Sequence, residues 1–267
     1  MKKSFYFIFL NFVFLFGCTT EHYYYIQNVQ QVPLFKEKKE VRLSGSIGGG
    51  NVLKTTGAQA AYSITNHLAV STNMMFSKMT GGNTPDWSKG EYYDGAAGYF
   101  KDFKKYGVFE LYAGVGSSSQ HHVYNEEELL GFTPFFLIPI TRLEYRGTAD
   151  VSYLKYFAQA NYGLSYNSYD VALSTKISDL YFNKVNNHIV DTLYAHSEIE
   201  RMKGSRHSIV IEPAITIRGG WKYVKAQLQF AYTGMINNSS FRFDSYNLSL
   251  GINIAIAKRY WYTPPKG

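Results

Sequence analysis

Beyond residue 17 this chain has no long apolar run. No later stretch approaches the ~20 consecutive apolar residues that a membrane-spanning helix needs. Cysteine is almost missing: Cys18 is the only one in 267 residues, so no internal disulfide is possible, even in an oxidising compartment. Clustered charge is missing as well. The net charge is +7, Lys2 and Lys3 supply two of it, and no basic run is longer than Lys38-Lys39 or Lys104-Lys105. Nucleic-acid binding calls for a concentrated basic patch, so no nucleic-acid partner is expected.

What is present begins with residues 1–18, MKKSFYFIFLNFVFLFGC. A basic start is followed by an apolar core of about 13 residues, the length of a secretory signal rather than of a permanent membrane helix. Leu15-Phe16-Gly17-Cys18 resembles the bacterial lipobox. The expectation is a signal peptide over residues 1–17 and a lipid-modified Cys18, acyl chains included, as the only covalent group, with no other cofactor and no metal. Residues 18–39 are polar and aromatic with one proline, and read as a tether. Fully extended, about 22 residues reach ~70 Å.

From Glu40 a period of two takes over, the signature of a strand with two unlike faces. Val41, Leu43, Gly45 and Ile47 alternate with Arg42, Ser44 and Ser46, and Ile252, Ile254 and Ile256 close the last such segment. Ten segments follow this rule, near 41–47, 54–65, 68–79, 91–101, 107–118, 150–162, 169–180, 207–217, 222–234 and 241–257. Many approach the ~9–11 residues that cross a bilayer at a tilt, longer than the ~5–6 of a soluble sandwich. Short connections follow segments 2, 4, 6 and 8, and longer ones follow 3, 5, 7 and 9. Membrane barrels have short periplasmic turns and long external loops. The fold class expected is therefore all-β: a transmembrane antiparallel up-and-down β-barrel over residues 40–262, of ten strands, with eight as the alternative. Both ends of the barrel chain then lie on the periplasmic side. The slightly negative mean hydropathy, −0.23, fits, because only every second residue meets lipid. Aromatics make up 17% of the chain, 24 of them Tyr, which suits the bilayer interface. Tyr260, Trp261 and Tyr262 are expected to be interfacial anchors.

The run Asn28 to Gly50, with Val32-Pro33-Leu34-Phe35, Glu37-Lys38 and Glu40, and the run Gly57 to Ser77 resemble outer-membrane β-barrel proteins of Bacteroidetes that carry an N-terminal lipoprotein signal. That resemblance implies a barrel in the outer membrane of a bacterial cell and no catalytic residues.

Several groups invite a functional reading. Asp86, Asp94, Asp150, His121, His122, Asp191, His196 and His207 fall near expected external ends, where surface proteases of the omptin type place their Asp and His, but no motif connects them. His207-Ser208 is a lone dipeptide without specificity. His121-His122 with Glu126 to Glu128 reads as a solvated loop, because adjacent histidines on a strand point to opposite sides. Arg42, Gln59, Glu110, Lys155, Gln159 and Lys222 are assigned to the interior row, pairing with one another and filling a narrow lumen.

The long insertion 119–149 contains LLGFTPFFLIPI, ten apolar or aromatic residues in twelve. An exposed patch of that kind marks an interaction surface. Leu129, Leu130, Phe132, Phe135, Phe136, Leu137, Ile138 and Ile140 are the candidate partner-binding residues; the segment folds over the barrel mouth, extends strands above the membrane or docks another protein, with docking or a lid favoured, and Tyr23-Tyr24-Tyr25 is a second contact. The function expected is a lipid-anchored, non-enzymatic scaffold or accessory subunit of an outer-membrane protein complex. The alternatives are a narrow channel for small solutes and a barrel-embedded hydrolase. Its surroundings would be outer-membrane lipids, lipopolysaccharide and one or more outer-membrane proteins.

Overall fold

The computed structural model describes residues 22–50, 53–80, 86–132, 139–190, 194–237 and 241–261. Strands β1 (Val41–Gly49), β2 (Leu53–Ser63), β3 (Leu68–Thr80), β4 (Trp87–Asp102), β5 (Val108–Phe132), β6 (Pro139–Ser165), β7 (Tyr169–Ile189), β8 (His207–Gly220) and β9 (Val224–Tyr232) each pair antiparallel with the next. A two-residue strand, β10 (Gly234–Met235), continues along β8, and β11 (Tyr246–Ile256) pairs with both β9 and β1. Ten strands thus close into an antiparallel barrel, and β10 is an accessory rung at its rim.

The alternation in the sequence is the alternation of the wall. Leu43, Ile47, Phe76, Leu111, Val115, Leu228, Leu250, Ile252 and Ile256 are exposed on the outer face, while Arg42, Gln59, Asn73, Glu110, Gln227, Gln229 and Asn253 are buried inside. A soluble sandwich hides its apolar row; here that row faces out, as lipid requires. Among the described residues no helix is long and apolar enough to cross a membrane. One end carries the short turns, 64–67, 103–107, 166–168 and 221–223, and the other the longer connections. The short-turn end is taken as periplasmic.

Pro213 sits inside β8, where a proline removes a ladder donor. The wall tolerates it because β8 changes partner there. On its β9 side, pairing with β10 covers Val210 and Ile211, pairing with β9 begins at Ala214, and Glu212 and Pro213 lie in the gap.

Three expectations are corrected. The insertion 119–149 is not a loop: β5 and β6 run on as one hairpin, paired as far as Phe132 with Pro139. β4 stops opposite Val123 and β7 opposite Gly147, so beyond those points the two strands have only each other as strand partners, although Tyr124, Asn125 and Arg146 at the base of the ribbon still bond Tyr24, Asp86 and Val190. Nine residues from Tyr124 to Phe132 carry this ribbon ~30 Å past its neighbours. The stretch 181–206 is not a loop either. β7 extends to Ile189, and helix α1 (Tyr194–Gly204) follows, with Ile199 and Met202 buried one turn apart. Lys222 lies in an exposed periplasmic turn, its Nζ donating to the carbonyl of Tyr260 at 3.1 Å, and the lysine of that strand facing inward is Lys225.

Candidate functional site: a lumen filled by the N-terminal segment

An eight-stranded barrel is filled by its own side chains, and each added strand widens the interior. With ten strands this barrel needs more filling, and residues 22–36 supply it. The segment expected to run as a tether lies inside the wall: Tyr24, Tyr25, Gln27, Asn28, Gln30, Val32, Leu34 and Phe35 are all at most 2% exposed. It enters at the external end, where Tyr25 bridges Phe243 and the Tyr24 N–H donates to the Arg242 carbonyl at 3.0 Å. It leaves at the periplasmic end through exposed Lys38 and Lys39 into β1. The chain therefore threads its own barrel, with residue 22 at the external mouth.

At that mouth His22 Nε2 lies 3.1 Å from Asp86 Oδ2, and its Nδ1 lies 3.3 Å from Nδ1 of His122. His122 Nε2 in turn meets Gln120 Oε1 at 3.2 Å. The hydroxyls of Tyr24 and Tyr124 are 2.6 Å apart. Tyr23, Tyr24, Tyr25 and Ile26 pack with Met75, Met79, Tyr92, Tyr153, Phe182 and, from α1, Ile199 and Met202 into an apolar core under the external connections. The three tyrosines expected to be a partner contact are thus interior packing residues. Burial withdraws them from any partner.

Below this core the wall turns polar. Lys155 Nζ pairs with Glu212 Oε2 at 3.0 Å, and both hold the Tyr25 hydroxyl at 2.6 Å. Asn28 Nδ2 donates to Asp94 Oδ2 at 3.3 Å. Nearer the periplasm Lys225 pairs with Asp170 at 2.7 Å, and Arg218 Nε donates to Gln227 at 2.7 Å. Between these charges the wall reaches the main chain of the segment with side-chain amides. Gln59 Nε2 donates to the Val29 carbonyl at 2.6 Å, Gln159 and Asn161 donate to that of Gln31 at 2.7 and 3.2 Å, and Asn247 donates to that of Gln27 at 3.3 Å. Gln229 takes both groups of residue 30, donating to its carbonyl at 2.9 Å and accepting its N–H at 2.7 Å. Gln30 Nε2 donates to the Glu212 carbonyl beside the gap at Pro213. At the bottom, Phe35 packs on Phe100 at 5.4 Å between centroids, and its N–H donates to Glu110 at 3.0 Å.

A clamp closes the periplasmic end. Arg259, on the short helix α2 (Lys258–Trp261), places both guanidinium amines on the Glu40 carboxylate at 2.6 and 2.8 Å, and Arg42 joins it at 2.7 Å. Burial alone would raise the Glu40 carboxyl; the two guanidiniums outweigh it and hold it below the usual carboxylate range.

Of the residues singled out in the sequence, Arg42, Gln59, Glu110, Lys155 and Gln159 line the lumen as expected. Asp86 and His122 meet His22 at the external mouth. His121 pairs with Asp150 at 2.7 Å, and His207 with Asp179 at 3.1 Å. His207 points out and Ser208 in, so the dipeptide is split between two faces. His196 meets Asn187 and the Ile189 carbonyl beside α1. Asp191 lies outside the described residues. Among the described residues no three His, Cys, Asp or Glu side chains gather as a metal site. Leu129, Leu130, Phe132 and Ile140 lie at the far end of the hairpin; Phe135, Phe136, Leu137 and Ile138 lie outside the described residues, as do Cys18 and Tyr262. Tyr260 is half-buried, its ring 5.5 Å from Tyr223 and 4.6 Å from the Arg259 guanidinium. Trp261 ends α2.

The wall residues the sequence reading passed over, Glu212, Lys225, Gln229 and Asn247, stand on the inward row of regular strands, so strict alternation marks them. Nothing periodic marks residues 22–36.

No protein-family model matches this chain, and no curated protein does. Several solved structures are similar to it. The chain is similar to the N-terminal β-barrel domain of Pseudomonas aeruginosa OprF, at 8% identity over 82% of this chain and 99% of that one, TM-score 0.29. It is similar to LpxR from Salmonella typhimurium, at 9% identity over 80% and 99%, TM-score 0.37. It is also similar to the COG4313 outer membrane channel from Pseudomonas putida F1, at 6% over 85% and 100%, TM-score 0.39. The likeness is one of fold alone.

Proposed function

We propose that this protein is a scaffold subunit of the bacterial outer membrane: a closed, self-plugged barrel, lipid-anchored at Cys18, that presents the β5–β6 hairpin to a partner protein. The observation that carries this reading is the threaded lumen. A barrel whose bore is occupied by its own chain is poorly built as a standing pore. What remains in evidence is a rigid platform, with a ribbon ~30 Å long rising from one side. The apolar sequence at its tip, from Leu129 to Ile140, has the composition of an interaction surface.

The threading also favours the external side for the proposed anchor. His22 stands at the external mouth, four residue steps from Cys18, which at ~3.3–3.6 Å per step is a reach of ~14 Å at most. Acyl chains on Cys18 then insert in the external leaflet, among lipopolysaccharide, on the same side as the hairpin.

The test is extraction in mild detergent followed by sizing and mass-spectrometric identification of stoichiometric companions, for the full chain and for a variant lacking residues 129–140. A defined complex that is lost with the hairpin tip supports the scaffold. A lone barrel of about 30 kDa, or a complex indifferent to the deletion, overturns it. The position of the acyl chains is tested separately, by protease shaving of whole cells carrying an epitope between Cys18 and His22.

A further inference from the structure

We propose that the lumen is a binding site for an extended polypeptide, recognised chiefly by its main chain, and that residues 22–36 are its resident and displaceable ligand. Six side chains, each at most 7% exposed, contact main-chain atoms of this segment: Gln59, Glu110, Gln159, Asn161, Gln229 and Asn247, from β2, β5, β6, β9 and β11. Carbonyls and N–H groups are common to every peptide, so these contacts select an extended backbone rather than a sequence. Side chains are read at the two ends, by the apolar core around Tyr24 and Tyr25 and by the pocket holding Phe35 against Ala61, Ala69, Phe100 and Tyr112, and between them only at Asn28, which meets Asp94, and at Gln27 and Gln30, whose amides donate to the Tyr232 and Glu212 carbonyls.

Two further observations separate this ligand from a structural strut. First, the barrel closes without it. The ten strands pair all the way round, and the segment touches a strand-like partner only at the single bridge from Tyr25 to Phe243. Removing it breaks no ladder. Second, the fit is incomplete. Gln27 Oε1, Gln30 Oε1 and Gln31 Oε1 are buried without a hydrogen-bond partner among the described residues. Each such oxygen is a cost to the bound state that a segment without it avoids, and at Gln27 and Gln30 that saving offsets the bond their amide nitrogens make to the wall. The covalent link that holds the resident segment runs through Lys38 and Lys39, exposed at the periplasmic mouth, where it is open to cutting.

This inference does not depend on the scaffold reading, since it concerns the lumen and not the hairpin. The experiment uses the full-length folded protein with Cys18→Ser, so that the released segment carries no acyl chain, and with a specific protease site inserted between Lys38 and Lys39. After cleavage in detergent, a fluorescent synthetic peptide of residues 22–38 is added in excess and its uptake followed by anisotropy. Conductance in planar bilayers is recorded before and after washing. The expected result is exchange at one peptide per barrel, a conductance that rises when the segment is washed out, and block when the peptide returns. A peptide with alanine at 31, whose side-chain oxygen is unpartnered while its carbonyl takes two wall amides, should bind within a few-fold of the parent. A peptide with ester links after Val29 and Gln31, whose carbonyls are poorer acceptors, should bind roughly tenfold or more weakly. The ester peptide needs no change to the barrel, so its result does not depend on a variant that folds. A cleaved barrel that stays folded and takes up no peptide overturns the proposal. So does a loss on alanine substitution as large as the loss on ester substitution, which would mean recognition by side chains.

Discussion

Gln229 treats residue 30 as a neighbouring strand would, accepting its N–H at 2.7 Å and donating to its carbonyl at 2.9 Å with one side-chain amide. The same amide nitrogen also reaches Thr216 Oγ1 at 2.7 Å. Replacing it leaves two buried main-chain groups of the segment without their partner. Gln229→Leu should weaken docking of the segment by about 2–3 kcal/mol, since a buried group left unpaired costs ~1–3 kcal/mol. Hydrogen exchange at residues 27–31 reads this directly. Faster exchange there, with the β1–β11 ladder still protected, is the expected pattern.

The Glu40 clamp should be expensive to break. Glu40 is fully buried and carries Arg42 and Arg259. Removing the charge takes from buried Arg42 its carboxylate partner, while Arg259 keeps Glu37 at 3.5 Å, and breaking a buried pair costs ~3–5 kcal/mol. Glu40→Gln should lower stability by about that amount in urea unfolding from detergent. Because this carboxyl is held below its usual range, its contribution is present above the ordinary carboxylate pKa and is lost as pH falls through its lowered value. The variant should lose that acid-side dependence.

Asp244 carries the opposite sign. It sits in the external connection before β11, buried, with Oδ2 unpartnered among the described residues, and burial pushes its carboxyl up to about 6. A raised carboxyl favours the folded state when protonated, so this contribution is full below the ordinary value and is lost as pH rises through about 6. Asp244→Asn should remove that decline and stabilise the protein at pH 8 by up to ~3 kcal/mol. A stability profile unchanged between pH 4 and 8 would count against it.

Lys39 stands at φ 63° in the exposed turn that leads out of the lumen. A side chain there pays for a left-handed backbone, and glycine does not. Lys39→Gly should raise stability by up to ~1 kcal/mol. Leu34, at φ 54°, is the contrast: it is buried with Val32, Val108 and Ala172, and Leu34→Gly should destabilise because lost packing outweighs relieved strain.

The outward row can be tested by depth. Leu228 is at the middle of β9 and faces out, and Val224 begins the same strand near the periplasmic rim. Leu228→Arg should cost ~2–4 kcal/mol in a bilayer and Val224→Arg ~0–1. Equal costs at the two positions would contradict the lipid-facing assignment.

The wall of this protein was legible from its residues, and its contents were not. Each strand writes its two faces into alternate residues, so Leu43, Ile47, Ile252 and Ile256 announce an outer row, and Arg42, Gln59 and Glu110 an inner one, without any knowledge of their neighbours. Connection lengths supplied the rest of the topology, because short turns and long loops fall on opposite ends. The free-standing hairpin was harder to read. Its strands continue past their neighbours, and only the register of β4 and β7 shows where the wall stops. Helix α1 was missed because its buried pair, Ile199 and Met202, is a short signal in a polar stretch. The error at Lys222 was one of boundary: three residues decide whether a lysine lies in a turn or faces the lumen.

Residues 22–36 carry no period at all. Tyr25 finds Glu212, Gln30 finds Gln229, and Gln27 finds Asn247, at separations of 187, 199 and 220 residues. A segment that is neither strand nor helix is specified by what surrounds it. Sequence alone determined a ten-stranded wall, because a strand's in-and-out alternation is local. Tertiary structure alone decided what the wall encloses, because a ten-stranded bore is too wide for its own side chains and the chain that fills it is held by contacts between residues far apart in sequence.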